Sequence, residues 1–357
     1  MRNAYALTLL SNTGVAFSSI LIPLLSKELG LSFFQLGLVV MGYGLASALS
    51  YFLFGRFSDA VGRRTVFVRA GLAACSLAFL AQILMGGFGS MLLIRTTAGF
   101  CVGIGTFPLL AYLSGLPRYE ARVWLFAGFT SLGWAVGYLG AGFLPGYEAA
   151  FVLSALSFLA GFLFSLFLPE VRARRRNFSS LEVIRRNRLV YLHYLLRHTG
   201  AQCVWTVFPL YLAELGASRS WIGFLYALNC GLQFFIMTAF SRIKKPLNDE
   251  VLVRTGLVLS TVTFLAYSLA TSYLHVLPVQ PVLAVAWSTL YVGSLLHLLR
   301  RNVEKATSTS LLGSTISVAG VIGPFLGGAV SELFGLRAVM FTAFGLNLAA
   351  TLLATRG

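Results

Sequence analysis

Long apolar stretches alternate with short polar connections along the whole chain. Each stretch holds about 20 residues or more with few charges, which is enough for a helix to cross the ~30 Å hydrocarbon core of a bilayer. The connections are too short to contain a sizeable soluble domain. The pattern predicts helices over residues 4–27, 36–58, 65–86, 91–115, 121–144, 149–168, 190–213, 221–241, 251–271, 278–298, 305–330 and 336–355.

The composition excludes a water-soluble fold. Hydrophobic residues make up 57% of the 357 residues and charged residues only 11%, whereas a soluble domain carries roughly 25% charged residues. Inside a bilayer every backbone amide must find a partner within the protein, and a helix achieves this within one segment. The chain is therefore predicted to be an all-α membrane protein.

The distribution of charge orients the predicted helices. A soluble protein with a net charge of +16 would be expected to bind nucleic acid. Here 22 of the 27 Lys and Arg residues lie on the side of the N-terminus, and only Lys27, Arg219 and Arg337 lie on the other side. This asymmetry follows the positive-inside rule. It predicts a multi-pass plasma-membrane protein with both termini in the cytoplasm, and with lipid headgroups rather than nucleic acid around its basic loops.

A repeat divides the chain into two halves. When the sequence is shifted by 186 residues, nine of the 25 positions in 13–37 are identical to those in 199–223. Chance similarity of apolar segments would rest on Leu and Ala, whereas these matches include Thr, Gly, Pro, Glu and Ser. The matching pairs are Thr13/Thr199, Gly14/Gly200, Pro23/Pro209, Leu24/Leu210, Glu28/Glu214, Leu29/Leu215, Gly30/Gly216, Ser32/Ser218 and Gly37/Gly223, and the same shift aligns Gly137 with Gly323 and Gly142 with Gly328.

The repeat predicts the domain organisation. We expect a six-helix bundle over residues 1–169, a cytoplasmic linker over 170–189 and a second six-helix bundle over 190–357. Parallel repeats of this kind are a standard transporter architecture, because two similar bundles can tilt about a central site and expose it to one side at a time. The expected protein is a monomer that contains both bundles.

The connection between predicted helices 2 and 3 reads GRFSDAVGRR. It resembles the signature of the major facilitator superfamily, Gly-x-Leu-x-Asp-Arg-x-Gly-Arg-Lys, although Ala60 stands where the signature usually has Arg. In that family the loop holds the two halves together on the cytoplasmic side, and an ordinary charged turn is the alternative. The resemblance predicts a gating latch formed by Gly55, Asp59, Gly62, Arg63 and Arg64. The carboxylate of Asp59 would lie at the positive N-terminal end of predicted helix 11.

Two further segments resemble motifs of the same family. Predicted helix 4 contains RTTAGFCVG, similar to Arg-x-x-Gln-Gly-x-x-x-Gly with Ala98 in place of Gln, and the family associates its Arg, here Arg95, with proton coupling. Predicted helix 11 contains Gly-Pro-x-x-Gly-Gly at 323–328, which antiporters of the family usually carry in helix 5. Close helix packing by small residues explains this second motif equally well.

The resemblance implies a fold and a function. The fold would be that of the major facilitator superfamily, with twelve transmembrane helices in two pseudo-symmetric bundles. The function would be secondary active transport of a small-molecule solute by alternating access, without a cofactor or a metal. The antiporter-like motif favours export, coupled to a proton or another ion.

Polar and aromatic residues on the predicted central helices are candidates for the transport path, because polar groups are costly in hydrocarbon. On predicted helix 7 three of them follow i, i+4, i+7 spacing and share one face. Interhelical hydrogen bonds of about 1 kcal/mol and plain aromatic packing are the alternatives. The predicted cavity residues are Asn12, Arg95, Gly99, Arg197, His198, Gln202, Trp205, Asn229, Gln233, Trp287 and Tyr291.

The acidic residues bear on the kind of solute. None of the eleven falls in the middle of a predicted helix. A carrier that exchanges protons for cationic solutes would need a buried carboxylate, whereas the mid-helix charges here are Arg95 and Arg197. The predicted cavity should therefore favour anionic, zwitterionic or neutral amphipathic solutes.

Two other functions compete with transport. A membrane-embedded lipid-phosphate or prenyl transferase needs clustered carboxylates to hold metal and diphosphate, and the only adjacent acidic pair is Asp249-Glu250. A transporter-like sensor without flux would have the same sequence features. Only a flux measurement distinguishes such a sensor from a transporter.

Overall fold

The computed structural model describes residues 2–61, 64–114, 119–170, 180–243, 247–302 and 305–356, and these stretches contain helices and no strand. Helices of 17 residues or more dominate the described stretches. They are α1 (Arg2–Ser19), α2 (Phe33–Val61), α3 (Arg64–Leu80), α4 (Phe88–Ser114), α5 (Tyr119–Phe143), α6 (Tyr147–Ser165), α7 (Arg188–Glu214), α8 (Arg219–Phe240), α9 (Asp249–Leu269), α10 (Val279–Arg301), α11 (Lys305–Phe334) and α12 (Leu336–Arg356).

Each long helix coincides with one predicted from the apolar stretches, and the largest difference is in the first. The predicted segment 4–27 corresponds to one membrane-length segment, Ala4–Glu28, but the helix is interrupted within it, because α1 ends at Ser19 and a short helix, Ile22–Glu28, follows. Pro23 lies in the first turn of that short helix and has no N–H to continue the hydrogen-bond ladder. A second short helix, Ser180–Arg186, occupies part of the predicted linker.

The exterior of the bundle is apolar. Leu77, Leu93, Phe143 and Phe235 are 68% to 72% exposed, which is unfavourable in water but is the expected surface in lipid. Within the described residues, ten helical segments are long and apolar enough to cross a membrane. The prediction of an all-α membrane protein is thus confirmed, while α5 and α7 are not among those ten segments and the count of twelve spans stays a prediction.

Glycines aligned by the repeat make equivalent contacts in the two halves. A side-chain carbon on Gly137 of α5 would lie 2.6 Å from the backbone oxygen of Thr13, and one on Gly323 of α11 would lie 2.8 Å from that of Thr199. The two threonines are themselves aligned by the repeat. The contact of α5 with α1 therefore recurs in the second half as the contact of α11 with α7.

A second set of aligned glycines joins one half to the other. Gly37 of α2 faces Gly328 of α11, and a side-chain carbon on Gly37 would lie 3.0 Å from the Cα of Gly328. Gly142 of α5 faces Gly223 of α8, and a side-chain carbon on Gly223 would lie 2.8 Å from the Cα of Gly142. The repeat aligns Gly37 with Gly223 and Gly142 with Gly328. These contacts, called here the glycine pairs, are thus one interaction made twice about a pseudo-twofold axis.

The turns that follow Ile22–Glu28 and α7 are also equivalent. Gly30 has φ +72° and Gly216 has φ +88°, a left-handed conformation that favours glycine. Each closes its helix in the same way, because the N–H of Gly30 donates to the oxygen of Lys27 and that of Gly216 to the oxygen of Ala213. We call this end of the bundle the glycine-turn face and the other end, which holds Arg2 and Arg356, the terminal face.

The two halves share one apolar core at the glycine-turn face. A buried cluster there includes Leu21 and Leu25 from the first half and Phe208 and Leu212 from the second. Towards the terminal face, two buried clusters belong to one half each, and a smaller one joins Trp124 of α5 to α8, α9 and α10. In the described part of the molecule the larger apolar contact between the halves therefore lies at the glycine-turn face, and we call this arrangement closed at that face.

Most of the predicted gating latch cannot be placed. Gly62 and Arg63 lie outside the described residues, and so do the side chain of Asp59 and the surroundings of Gly55. Arg64 is the first residue of α3. The latch stays a prediction.

A carboxylate that the sequence analysis did not single out contacts the start of α3. Glu170, after α6, accepts hydrogen bonds from the hydroxyl and the backbone N–H of Thr65 and from the backbone N–H of Arg64. Burial by itself raises the pKa of Glu170, but these hydrogen bonds outweigh it, and the pKa lies below its ordinary value. The end of α6 is thereby tied to the N-terminus of α3.

Candidate functional site

A row of polar and aromatic side chains on α7 is directed at α10. The Nε2 atom of His198 lies 3.2 Å from Nε2 of Gln202, and the His198 ring lies 5.5 Å from the Trp205 ring. His198 is buried, whereas Gln202 and Trp205 are partly exposed. The helical spacing read from the sequence thus brings these three side chains together.

Trp287 and Tyr291 of α10 stack on each other, with ring centroids 5.6 Å apart and planes 3° from parallel. Trp287 also lies 5.3 Å from the ring of His198 and 6.1 Å from that of Trp205. Trp205, Trp287 and Tyr291 are partly exposed, so part of their surface is not covered by the protein. We name this group of rings the aromatic cluster, formed by Tyr194, His198, Trp205, Trp287 and Tyr291.

Asn12 of α1, the repeat partner of His198, is partly exposed. Its side-chain nitrogen donates to the backbone oxygen of Thr8 at 2.7 Å. Its Cβ packs against α5, since a side-chain carbon on Gly133 would lie 2.9 Å from it. Asn12 is thus held by its own helix and by α5, with part of its surface uncovered.

Asn229 and Gln233 are buried and bonded within the protein. Gln233 accepts a hydrogen bond from Ser131 of α5 (3.0 Å) and donates to Asn229 (2.7 Å), which donates to the backbone oxygen of Gln280 (3.1 Å). The Gln280 side chain donates in turn to the Tyr267 hydroxyl at 3.0 Å. These five residues form what we call the amide chain, which runs from the first half into the second. Sequence analysis missed Ser131 and Gln280, whose only signal was polarity inside an apolar stretch.

Arg95 is 3% exposed and is directed into the first half. Its NH1 atom donates to Ser18 at 3.1 Å, the Ser18 hydroxyl donates to Gln82 at 2.5 Å, and the guanidinium carbon lies 4.2 Å from the Tyr43 ring. Gly99, one turn further along α4, packs directly against the backbone oxygen of Tyr43. Gly99 therefore permits the close approach of α4 to α2.

Arg197 is fully buried in the second half. Its Nε donates to Ser260 of α9 at 3.0 Å, and its guanidinium carbon lies 5.1 Å from the ring of Trp287. Both terminal nitrogens lack a hydrogen-bond partner among the described residues. The charge of Arg197 thus lies behind the aromatic cluster, in contact with one of its partly exposed members.

Aromatic rings also meet across the halves between α5 and α8. Tyr138 lies 4.8 Å from Tyr226 of α8 and 5.3 Å from Trp134 on its own helix. Tyr226 in turn lies 5.7 Å from Phe208 of α7. The rings of Tyr138 and Tyr226 are therefore part of the contact between the halves.

A cavity of about 280 Å³ opens between the halves at the glycine-turn face. Lys27 and Phe33 line it from the first half, and Leu210 and Glu332 from the second. The Oε2 atom of Glu332 accepts a hydrogen bond of 3.3 Å from the backbone N–H of Phe34, in the first turn of α2. A carboxylate is stabilised at a helix N-terminus, so this contact holds the end of α11 to the start of α2.

Replacing Glu332 by glutamine should weaken closure at this face. A charge at an exposed helix N-terminus contributes about 0.3–1 kcal/mol, so the closed population should fall about two- to fivefold relative to the open one. Spin labels at Gly89 and Leu274, one on each half, would report the opening as a longer distance in a cysteine-free protein. Glu148→Gln, which removes another exposed carboxylate from this face, should leave the distance unchanged, and equal distances in all three proteins would contradict the prediction.

Comparison with known proteins places the chain in a family. The sequence model of the Major Facilitator Superfamily matches residues 4–306. The chain is 24% identical to the multidrug resistance protein MdtG of Klebsiella pneumoniae, over 94% of this chain and 88% of that protein. It is 25% identical to a protein of Deinococcus radiodurans named "putative sugar efflux transporter", over 91% of this chain and 89% of that one.

Solved structures share the fold. The human organic anion transporter MFSD10 (TETRAN) superimposes with a TM-score of 0.73 at 18% identity, over 99% of each chain. The nucleoside transporter NupG superimposes with a TM-score of 0.77 at 14% identity, over 99% of this chain and 98% of the other. A family match over most of the sequence and a fold shared along nearly all of it lead to one conclusion: the chain belongs to the major facilitator superfamily and is a secondary transporter.

Proposed function

We propose that the protein exports a small amphipathic solute across the plasma membrane by alternating access. The observation that carries the proposal is the set of glycine pairs, because two similar halves that meet through one contact made twice can part and meet again as rigid units. Two relatives support export as the direction of transport, since their names refer to multidrug resistance and sugar efflux.

The distribution of Lys and Arg supports one orientation of the protein in the membrane. The excess of Lys and Arg on the side of the termini supports a cytoplasmic terminal face and an outer glycine-turn face. Closure at the glycine-turn face then corresponds to the state in which an exporter takes up its solute from the cytoplasm. Each chain contains both halves and hence a complete path, so we propose that it acts as a monomer, driven by a proton or another coupling ion.

The solute site that we propose lies between α1 and the aromatic cluster. Asn12 and Gln202 offer partly exposed amide groups, and Trp205, Trp287 and Tyr291 offer ring faces. Aromatic faces bind flat apolar groups, and amides fix their orientation by hydrogen bonds. Two other predicted cavity residues contact this surface, and we propose that Arg197 acts on it by its charge, through its contact with Trp287, and His198 by packing within the aromatic cluster.

The competing functions differ in what they require. Within the described stretches, no group of three or more His, Cys, Asp or Glu residues is placed to hold a metal ion, as a diphosphate-binding transferase would need. A sensor would bind a solute without moving it. Binding and flux must therefore be measured on the same solute.

The test combines a thermal-shift screen at two pH values with transport in inverted membrane vesicles. A solute that raises the unfolding temperature should accumulate inside the vesicles when an ion gradient is imposed, and dissipation of the gradient should stop accumulation. Binding without accumulation would replace the exporter by a sensor. Accumulation only in right-side-out vesicles would reverse the proposed direction.

A further inference from the structure

Two guanidinium groups lie inside the helical bundle with no carboxylate of the described residues beside them. Arg95 is 3% and Arg197 0% exposed, and the ion pairs among the described residues include neither of them. None of the eight acidic side chains that the structure describes is buried, and the least exposed, Asp249, pairs with His297 and Arg300. The described interior of the bundle therefore carries positive charge only.

Arg197 is the less compensated of the two groups. One nitrogen donates to Ser260, whereas both terminal nitrogens are buried and have no hydrogen-bond partner in the part of the chain that the structure describes. The guanidinium carbon is 5.1 Å from the ring of Trp287, and Trp287 is partly exposed. A positive charge thus lies directly behind one wall of the proposed solute site.

We infer that this site selects anions, and that Arg197 is the residue whose charge makes the selection. The inference rests on the proposed function, because it concerns the solute that the same site would carry. An isolated positive charge in a medium of low dielectric constant attracts an anion and repels a cation, and ionisable groups at mid-membrane mark transport paths.

The surroundings of the charge define the class of anion. The partly exposed surface of the aromatic cluster consists of the rings of Trp205, Trp287 and Tyr291, which favour a flat apolar body. The guanidinium does not reach the surface, so its effect on the solute is through space and does not depend on a bidentate contact. The solute class is therefore an organic monoanion with an aromatic or similarly flat body.

The separation sets the size of the effect. A solute in contact with Trp287 places its charge within about 12 Å of the guanidinium carbon, because an indole ring and one van der Waals contact are added to the 5.1 Å between that carbon and the ring centroid. With an effective dielectric constant of about 20, the anion is favoured about tenfold over a neutral molecule of the same shape. A cation of that shape is disfavoured by a similar factor.

Three molecules of one shape test the inference: naphthoate, naphthamide and naphthylmethylammonium. Their binding to the purified full-length protein is measured by quenching of tryptophan fluorescence, and their counterflow is measured in liposomes. The wild-type protein should bind naphthoate about tenfold more tightly than naphthamide, and naphthamide more tightly than the ammonium compound. Counterflow should follow the same order.

Variants separate the charge of Arg197 from its packing. Arg197→Gln should bring the affinities for naphthoate and naphthamide together by lowering only the former, and Arg197→Lys should restore most of the preference. Arg254→Gln makes the same chemical change at an exposed position of α9 and should leave the preference intact. A merely structural role would lower all three affinities in parallel, and lysine would then not restore the order.

Each outcome is decisive. Equal wild-type affinities for the three molecules would overturn anion selection. A preference for naphthoate that survives in Arg197→Gln would overturn its assignment to Arg197. The transport function stands in both cases. The three-molecule comparison on wild-type protein needs no variant, so it holds even if Arg197→Gln does not fold. Counterflow of uridine but of none of the three aromatic molecules would overturn the solute class alone, and absence of counterflow for every solute tried would overturn the proposed function as well.

Discussion

Replacing Gly37 by leucine should lower transport about 5- to 150-fold while the protein still folds and inserts into the membrane. A side-chain carbon at this position would lie 2.7 Å from the backbone oxygen of Pro324 and 3.0 Å from the Cα of Gly328. Both neighbours are backbone atoms of α11, so neither can rotate away as a side chain would. Relief requires α2 and α11 to separate, which opens the glycine-turn face.

The size of the effect follows from the cost of overpacking. Extra methylene groups in a close-packed contact cost about 1–3 kcal/mol, which corresponds to a shift of about 5- to 150-fold between closed and open populations. Because each transport cycle must pass through the closed state, flux should fall by a similar factor. Solute binding from the outer side should persist.

The pseudo-twofold axis provides a second arm of this experiment. Gly223→Leu introduces the same clash at the α5–α8 contact, where a side-chain carbon would lie 2.6 Å from the backbone oxygen of Tyr138, and it should give the same loss. Gly345→Leu is the control, since no atom lies within 4 Å of a side-chain carbon at that exposed position of α12. Flux in liposomes and the distance between labels at Gly89 and Leu274 are the measurements. Wild-type flux in Gly37→Leu would show that closure does not depend on the glycine pairs.

Replacing Gln233 by leucine should lower the unfolding temperature of the purified protein by at least about 5 °C. The substitution removes the acceptor for Ser131 and the donor to Asn229. Each buried polar group left without a partner costs about 1–3 kcal/mol, and 1 kcal/mol shifts the unfolding temperature by roughly 2–4 °C even in larger domains. Since the amide chain crosses between the halves, transport should fall as well.

A double-mutant cycle checks that the loss comes from this chain. Ser131→Ala should destabilise the protein less than Gln233→Leu, because it removes only the first donor. The two substitutions together should cost less than the sum of the separate losses, since they remove the same hydrogen bond. Strictly additive losses would mean that Ser131 and Gln233 act independently, contrary to the 3.0 Å contact between them.

The aligned glycines show how far sequence reasoning reaches into the fold. Their spacing predicted two equivalent halves, and the structure supplies the contacts that make the halves equivalent, within each half at Gly137 and Gly323 and between halves at Gly37 and Gly223. The sequence did not reveal that the second group joins the halves. A glycine within a helix indicates that another helix packs closely against it, but it does not indicate which helix that is.

The site residues show what helical spacing predicts about a site and what it does not. Spacing along α7 brought His198, Gln202 and Trp205 together on one face, because a helix fixes the relation between neighbours on its own surface. Asn229 and Gln233, predicted on the same grounds, are bonded to Ser131 and to each other. Which face of a helix meets solute and which meets another helix depends on how the helices are arranged.

The sequence by itself determined the class of the protein. Apolar stretches of membrane length, the placement of Lys and Arg, and a repeat of 186 residues leave few alternatives to a duplicated helical membrane protein, because the bilayer imposes these requirements on each helix separately. Only the tertiary structure decided where the two inner arginines point and which face of the molecule is closed. Both depend on contacts between residues far apart in the chain, such as Arg197 with Ser260 and Glu332 with Phe34, and spacing along one helix does not specify such contacts.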